Sequence, residues 1–268
     1  MLGFGLGLTR PLAAAGSPAN LFRPADRGLL LDPATASSLF QDVAGTIPVT
    51  GAGQSVGLVH DLSNRGMDAV QATAASRPLL QIDGGGRRYL AFDGTDDGLA
   101  TASIDFSASD KMTLIAGVRK ISDAAGAGIL AEISANVGTT NGACGLSAPL
   151  NSSGVATFGF LSRGTLFGTW SVSGAAYLAP VSAVVTGIGH IGGDVQTLRV
   201  NGVQVATAAT DQGSGSFGNH PVFIGRRGGT SLPFNGWIYG LFLINRLLSA
   251  SDTGMVERWM AARSGVVI

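Results

Sequence analysis

Of the 17 acidic residues in this chain only two, Glu132 and Glu257, are glutamates. Cleaving a glycosidic bond with retention needs two carboxyl groups about 5 Å apart. These two lie far apart in the chain, and Glu257 falls in a helical pattern near its end. The three histidines, His60, His190 and His220, include no H-x-x-x-H pair that would share one helix face as metal ligands. His60 and Asp61 are adjacent, so on a strand they would point to opposite sides. The Gly213-Ser214-Gly215-Ser216 run is out of step with the Gly-x-Ser-x-Gly elbow of serine hydrolases. Gly84-Gly85-Gly86 opens no helix and reads as a loop, not a phosphate cradle. Asp93, Asp96 and Asp97 bring hard oxygen ligands close together, as calcium requires. The same side chains can cap the amides of their own turn, and that is the reading adopted. The single cysteine, Cys144, excludes an internal disulfide and a cysteine zinc cluster, and is expected to be a small buried side chain. No catalytic residue, metal site or cofactor is assigned.

The elements that carry these residues are short. The chain has 268 residues, 45% of them hydrophobic, and 41 glycines, about twice the usual share. The glycines have no three-residue period, which excludes collagen. They punctuate short segments, as in an all-β chain. Basic and acidic residues balance at 17 each, and the longest basic runs are pairs, so the electrostatic footprint of a nucleic-acid binder is missing. No run of about 18 apolar residues could form a membrane helix. Met1–Ala15 is apolar but lacks the basic n-region of a signal peptide.

Three divisions follow. Residues 1–26 form an arm with Pro11, Pro18 and Pro24 and no periodicity. Residues 27–268 form a sandwich domain that ends in a helix over 249–264. Strands are expected at Arg88–Phe92, Leu99–Ile104, Met112–Arg119, Ile129–Ile133, Val155–Leu161, Val181–Ile188, Thr197–Val200, Val203–Ala206, Val222–Ile224 and Trp237–Ile244. Asn201-Gly202 between two of these is a hairpin signal. The last strand is apolar on both faces and belongs in the centre of a sheet. In the helix, Ser249 and Asp252 have capping-box-like spacing, Met255, Val256, Trp259 and Met260 recur at helical spacing, and Gly265 suits the C-terminal cap. From Ile133 to Gly193 the only formal charge is Arg163. Such depletion marks interface centres, so the stretch is expected to pack against other subunits; the competing reading is inner strands joined by small polar loops.

Three segments carry a resemblance. Phe92-Asp93-Gly94-Thr95-Asp96-Asp97-Gly98-Leu99 resembles the F-D-G-x-D-D-x-L signature of laminin-G-like, concanavalin-A-like jelly rolls. Leu198–Ala206 is similar to their L-x-V-N-G-x-x-V-A hairpin. Ile224-Gly225-Arg226, Phe234–Gly240 and Asn245–Ser249 are similar to their closing segment. The implied fold is an all-β, two-sheet antiparallel jelly-roll sandwich with an extended N-terminal arm and a short C-terminal helix. The E-x-D-x-x-E strand of enzymes on this fold is missing, so a glycan hydrolase is the least favoured reading. Sugar-binding jelly rolls offer rim aromatics and amides. Trp170, Tyr177, Asn141 and Asn219 are of those types, but the ligand-binding residues stay unknown, and Leu166–Val172 can equally be a strand with a buried tryptophan.

Leu39–Thr46, Val56–Asp61 and Arg77-Pro78-Leu79 further resemble the lead-in of laminin-G-like proteins encoded by tailed bacteriophages and prophages. That resemblance implies a non-enzymatic virion protein on the particle surface. It would act as a tail-fibre or tail-tip component adhering to host carbohydrate; the alternative is a structural capsid decoration or head-fibre protein. Its expected partners are a host glycan and other virion subunits, reached through the arm and through 133–193, in a homo-oligomer. No nucleic acid and no membrane span are expected.

Overall fold

A computed structural model describes residues 16–152, 155–173 and 177–268. The N-terminal part of the expected arm, residues 1–15, lies outside the described residues. The strands are β1 (Gly28–Leu31), β2 (Leu39–Phe40), β3 (Leu58–Val59), β4 (Ala69–Val70), β5 (Leu79–Ile82), β6 (Arg88–Asp93), β7 (Leu99–Thr101), β8 (Ile104–Asp105), β9 (Lys111–Lys120) and β10 (Ala127–Ile133). They continue with β11 (Ala143–Ser152), β12 (Val155–Arg163), β13 (Ser171–Val172), β14 (Val181–His190), β15 (Val195–Val200), β16 (Val203–Ala208), β17 (Asn219–His220), β18 (Val222–Ile224) and β19 (Asn235–Ile244). One α-helix, α1 (Ala250–Ser264), closes the described chain.

Two antiparallel sheets face each other, as the sequence pattern predicts. One runs β16-β15-β14-β9-β19-β6-β5, with β1 also paired to β19. The other runs β13-β12-β11-β10-β18-β7-β4-β3-β2. Alternation aims the two inner faces at one core. Met112, Leu114, Ala116 and Val118 of β9 meet Leu130, Leu146, Phe158 and Phe160 from the opposite sheet in that core. β19 lies centrally, paired with β1, β6 and β9, and is buried on both faces from Ile238 to Ile244, as its unbroken apolar run requires. Cys144 is fully buried in the same core, and burial pushes its thiol well above the ordinary range.

Small residues set the spacing between layers. Gly187 on β14 faces Phe160; a Cβ there would stand 2.1 Å from the ring. Asn201 (φ 51°) and Gly202 (φ 79°) take the left-handed conformation that a two-residue hairpin needs. The sequence leads to no expected strand over β11: Cys144, Leu146, Ala148 and Leu150 alternate with Gly145, Ser147 and Pro149, but glycine and proline weaken a strand signal. Its partners β10 and β12 dictate it instead.

The helix packs on the outer face of the β14–β9–β19 sheet. Val256, Trp259, Met260 and Ala261 join Ile115, Val184, Phe242 and Ile244 in a second core. Ser249 Oγ accepts the Asp252 N–H at 3.1 Å, and Gly265 forms the left-handed C-cap. The described end of the arm lies on this same layer. The Phe22 ring is 5.3 Å from that of Phe242, and Asp26 pairs with Arg246 at 3.1 Å.

The charge-poor stretch 133–193 supplies β11, β12 and β14, each with a partner strand on both sides. Its Leu146, Phe158, Phe160, Ala183 and Val185 are buried by this chain's own core, which accounts for much of the missing charge. Val155, Leu166, Phe167 and Leu178 remain exposed, at 39–69%.

Candidate functional site

The two glutamates lie on different layers. Glu132, on β10, is buried and pairs with Arg227 at 3.0 Å; it also accepts the Val137 N–H. Burial raises its pKa against those two contacts. Glu257, on α1, accepts from Arg199 at 2.8 Å and from the Thr186 hydroxyl at 2.9 Å over the opposite sheet. Each therefore ties a loop or helix to its sheet, and no bond could lie between them. The histidines are also separate. His60 pairs with Asp68 at 2.8 Å, His190 with Asp110 at 3.2 Å, and His220 Nε2 donates to the Asn141 carbonyl at 3.1 Å.

The Asp93–Asp97 turn brings three carboxylates together, with one oxygen from each within 4.8 Å of the others. The oxygens serve local donors. Asp93 accepts the Thr95 N–H at 2.7 Å, Asp97 accepts the Asp93 N–H at 3.0 Å, and Asp96 accepts the Ser76 hydroxyl at 2.8 Å. Burial, reinforced by the charges of Asp93 and Asp96, pushes the Asp97 carboxyl up to about 6. A carboxylate set of this kind would suit calcium, but each member already has a structural partner.

A trough of about 400 Å³ opens at the end of the other sheet. Its walls are Leu150, Asn151, Phe167, Thr169, Trp170 and Val172, from β11, β13 and the β12–β13 loop. On β12, Phe158 and Phe160 point into the core, whereas Gly159 and Leu161 lie on the outer face. Gly145 on β11 and Gly159 on β12 leave a floor without side chains there. Trp170 lies across it; a Cβ at those positions would be 3.7 and 3.2 Å from the indole. The half-buried ring also packs on Val137, Ala143 and Leu161. Phe167 is 50% exposed, and Asn151 and Thr169 are exposed. Arg163, the one charge of the 133–193 stretch, braces the rim. It donates to the Gly138 carbonyl at 2.7 Å and to Asn141 Oδ1 at 3.0 Å, and its guanidinium lies 5.7 Å from the Phe167 ring. Gln196 Nε2 donates to the Thr169 carbonyl and holds the loop from below. An apolar ring floor flanked by amide and hydroxyl groups can stack on the C–H face of a sugar and hydrogen-bond its hydroxyls.

The structure packs Trp170 on Val137 and Ala143, and holds Asn141 on Arg163, whose guanidinium lies by Phe167. Tyr177 is separated from them: its ring packs 5.3 Å from Phe158 on the core side. Asn219 is exposed on the short β17–β8 ladder. Sequence reading missed Phe167, Thr169 and Asn151. The Leu166-Phe167-Gly168-Thr169-Trp170 run is their one local signal, and it reads equally well as a strand.

Two face-packed antiparallel sheets closed by one short C-terminal helix define a jelly-roll β-sandwich. The chain belongs to the concanavalin A-like lectin/glucanases superfamily, whose sequence profile matches residues 93–253. The matched span opens within the Phe92–Leu99 motif and takes in the Asn201-Gly202 hairpin. Among solved structures the fold is similar to the botulinum neurotoxin serotype D binding domain (TM-score 0.56, 10% identity, 87% of this chain and 52% of that one). It is also similar to the serotype D ligand-binding domain in complex with N-acetylneuraminic acid (TM-score 0.54, 12% identity, 86% and 50%). A third is the binding domain of botulinum neurotoxin DC in complex with rat synaptotagmin II (TM-score 0.55, 10% identity, 87% and 51%). The chain thus spans about half the length of the solved chains it matches. No curated protein matches it in sequence. No helix among the described residues is long and apolar enough to cross a membrane.

Proposed function

We propose that this protein is a non-catalytic glycan-binding protein on the surface of a tailed-bacteriophage particle, adhering to host carbohydrate as a tail-fibre or tail-tip component. The trough at Trp170 carries the binding half of this reading, because its floor and rim have the chemistry that a pyranose needs. The solved neighbour in complex with N-acetylneuraminic acid uses the same fold. The virion half rests on the resemblance of Leu39–Thr46, Val56–Asp61 and Arg77–Leu79 to the phage-encoded lead-in. Contacts with other virion subunits run through the N-terminal arm and the exposed Val155, Leu166 and Leu178 of the charge-poor stretch, within a homo-oligomer.

A glycan array probed with the intact protein and with Trp170→Ala tests the binding half. The substitution removes the stacking surface at the rim of the sheet. Selected glycans should bind the parent chain and lose at least about tenfold in affinity in the variant, with a far-UV spectrum unchanged. Equal binding by both proteins, or none by the parent, overturns the assignment to this trough. Labelling of intact particles with an antibody to the sandwich tests location; signal confined to the head would favour the decoration reading over the tail.

A further inference from the structure

The trough takes its chemical character from a stretch almost without charge. Residues 133–193 supply all of its walls and contain one formal charge, Arg163. Both Nη atoms of that guanidinium are committed. Nη1 donates to the Val137 and Gly138 carbonyls, Nη2 donates to Asn141 Oδ1, and the residue is 7% exposed. Its fork is therefore not on offer to a ligand. A carboxylate or sulfate entering the trough would lose water and meet no cation in return, which disfavours acidic sugars.

The walls beside the indole are aliphatic. Leu150 and Trp170 both lie over Gly159: a Cβ there would stand 2.3 Å from Leu150 Cδ2 and 3.2 Å from the indole. Val172 is paired with Gly159 across β12 and β13, and directly opposed residues share one face of a sheet. Leu150, Trp170 and Val172 thus surround one bare glycine. A sugar hydroxyl pressed against Leu150 or Val172 would find no hydrogen-bond partner in either side chain, whereas a methyl group would bury apolar surface there.

We propose that the trough selects a neutral saccharide that carries a methyl group, seated between Leu150 and Val172 while the sugar face stacks on Trp170. The inference rests on the reading of the trough as a sugar site and specifies which sugars it takes. The methyl group is either C6 of a 6-deoxyhexose or the end of an N-acetyl group. Both are uncharged, and both bring one apolar carbon to the edge of a pyranose ring.

Ligand-observed NMR titrations of the intact protein with matched methyl glycosides test the proposal. Each 6-deoxyhexoside (L-fuco, L-rhamno and D-quinovo) is set beside its 6-hydroxy and 6-carboxy counterparts, and the N-acetylglucosaminide beside the glucoside. In at least one set the methyl-bearing member should bind at least about fourfold tighter than the hydroxy member. Every carboxy member should bind more weakly than its neutral counterparts. Val172→Thr keeps the shape of the wall and adds a hydroxyl. It should shrink the methyl preference and leave binding of the hydroxy member within about twofold; if it does not fold, the panel on the parent decides. A preference in the 6-deoxy sets assigns the methyl group to C6, and one in the N-acetyl pair assigns it to the acetyl group. Three outcomes overturn this inference while Trp170→Ala still abolishes binding, and so leave the trough as the sugar site. They are equal binding within every set, a carboxy member that binds tightest, and a methyl preference intact in Val172→Thr. Panel binding that is absent, or unchanged in Trp170→Ala, overturns this inference together with the reading it rests on.

Discussion

Single side chains in this protein carry costs that their neighbours explain. Asp97 titrates near 6 in the fold against an ordinary value of 3.8. Between those values the folded state holds a proton that the unfolded chain has lost. Its effect on stability therefore worsens as pH rises from about 4 to 6 and is fully present above 6. Asp97→Asn keeps an oxygen for the Asp93 N–H and removes the charge. At pH 7.5, in chelator, its melt should lie about 2–4 °C above the parent's, and the gap should close by pH 4. A gap that does not change with pH would contradict the burial argument. Glu132 is the opposite case, a carboxylate that needs its partner. Arg227→Ala would leave it buried without a cation, and should cost about 3–5 kcal/mol in a denaturant titration. Adding Glu132→Gln should recover part of that loss. If the double variant is no better than the single one, an unpaired buried charge is not the source of the loss.

At the level of strands and turns, glycines act by two separate mechanisms. At Gly202 a Cβ would meet nothing closer than 3.8 Å, and only the φ of 79° is demanding. At Gly187 the conformation is ordinary, but Phe160 occupies the place of a Cβ. Gly187→Ala should therefore destabilise by about 1–3 kcal/mol through overpacking. A second change, Phe160→Leu, should offset part of it, since the two residues share one space. Additive losses in a double-mutant cycle would show that the facing pair does not set the distance between layers. In β11, Gly145 and Pro149 weaken the local strand signal, and pairing with β10 and β12 on both sides holds the strand.

The aromatic trough and the helix lie on opposite sides of the layered molecule. The described end of the arm, residues 16–26, is docked on the helix layer through Phe22 and Asp26. Removing residues 1–15 should reduce incorporation into particles. Quantitative blotting of purified virions checks this; full incorporation would show that residues 1–15 are not an anchor.

Much of this architecture is legible in the order of the residues. Alternation marked β9, β12 and β14, the Asn201-Gly202 pair marked its hairpin, and Ser249 and Gly265 bounded the helix, because these signals act within a few residues. The candidate surface was legible only in part. Trp170 could be read as a buried strand residue, since nothing local reveals that Gly145 and Gly159, on two different strands, clear a floor for its ring. Trp170 meets Val137 and Ala143 only after distant segments pair. Local patterns dictate which elements form. Which faces they expose depends on packing between segments far apart in the chain, and that arises only when the two sheets close on each other.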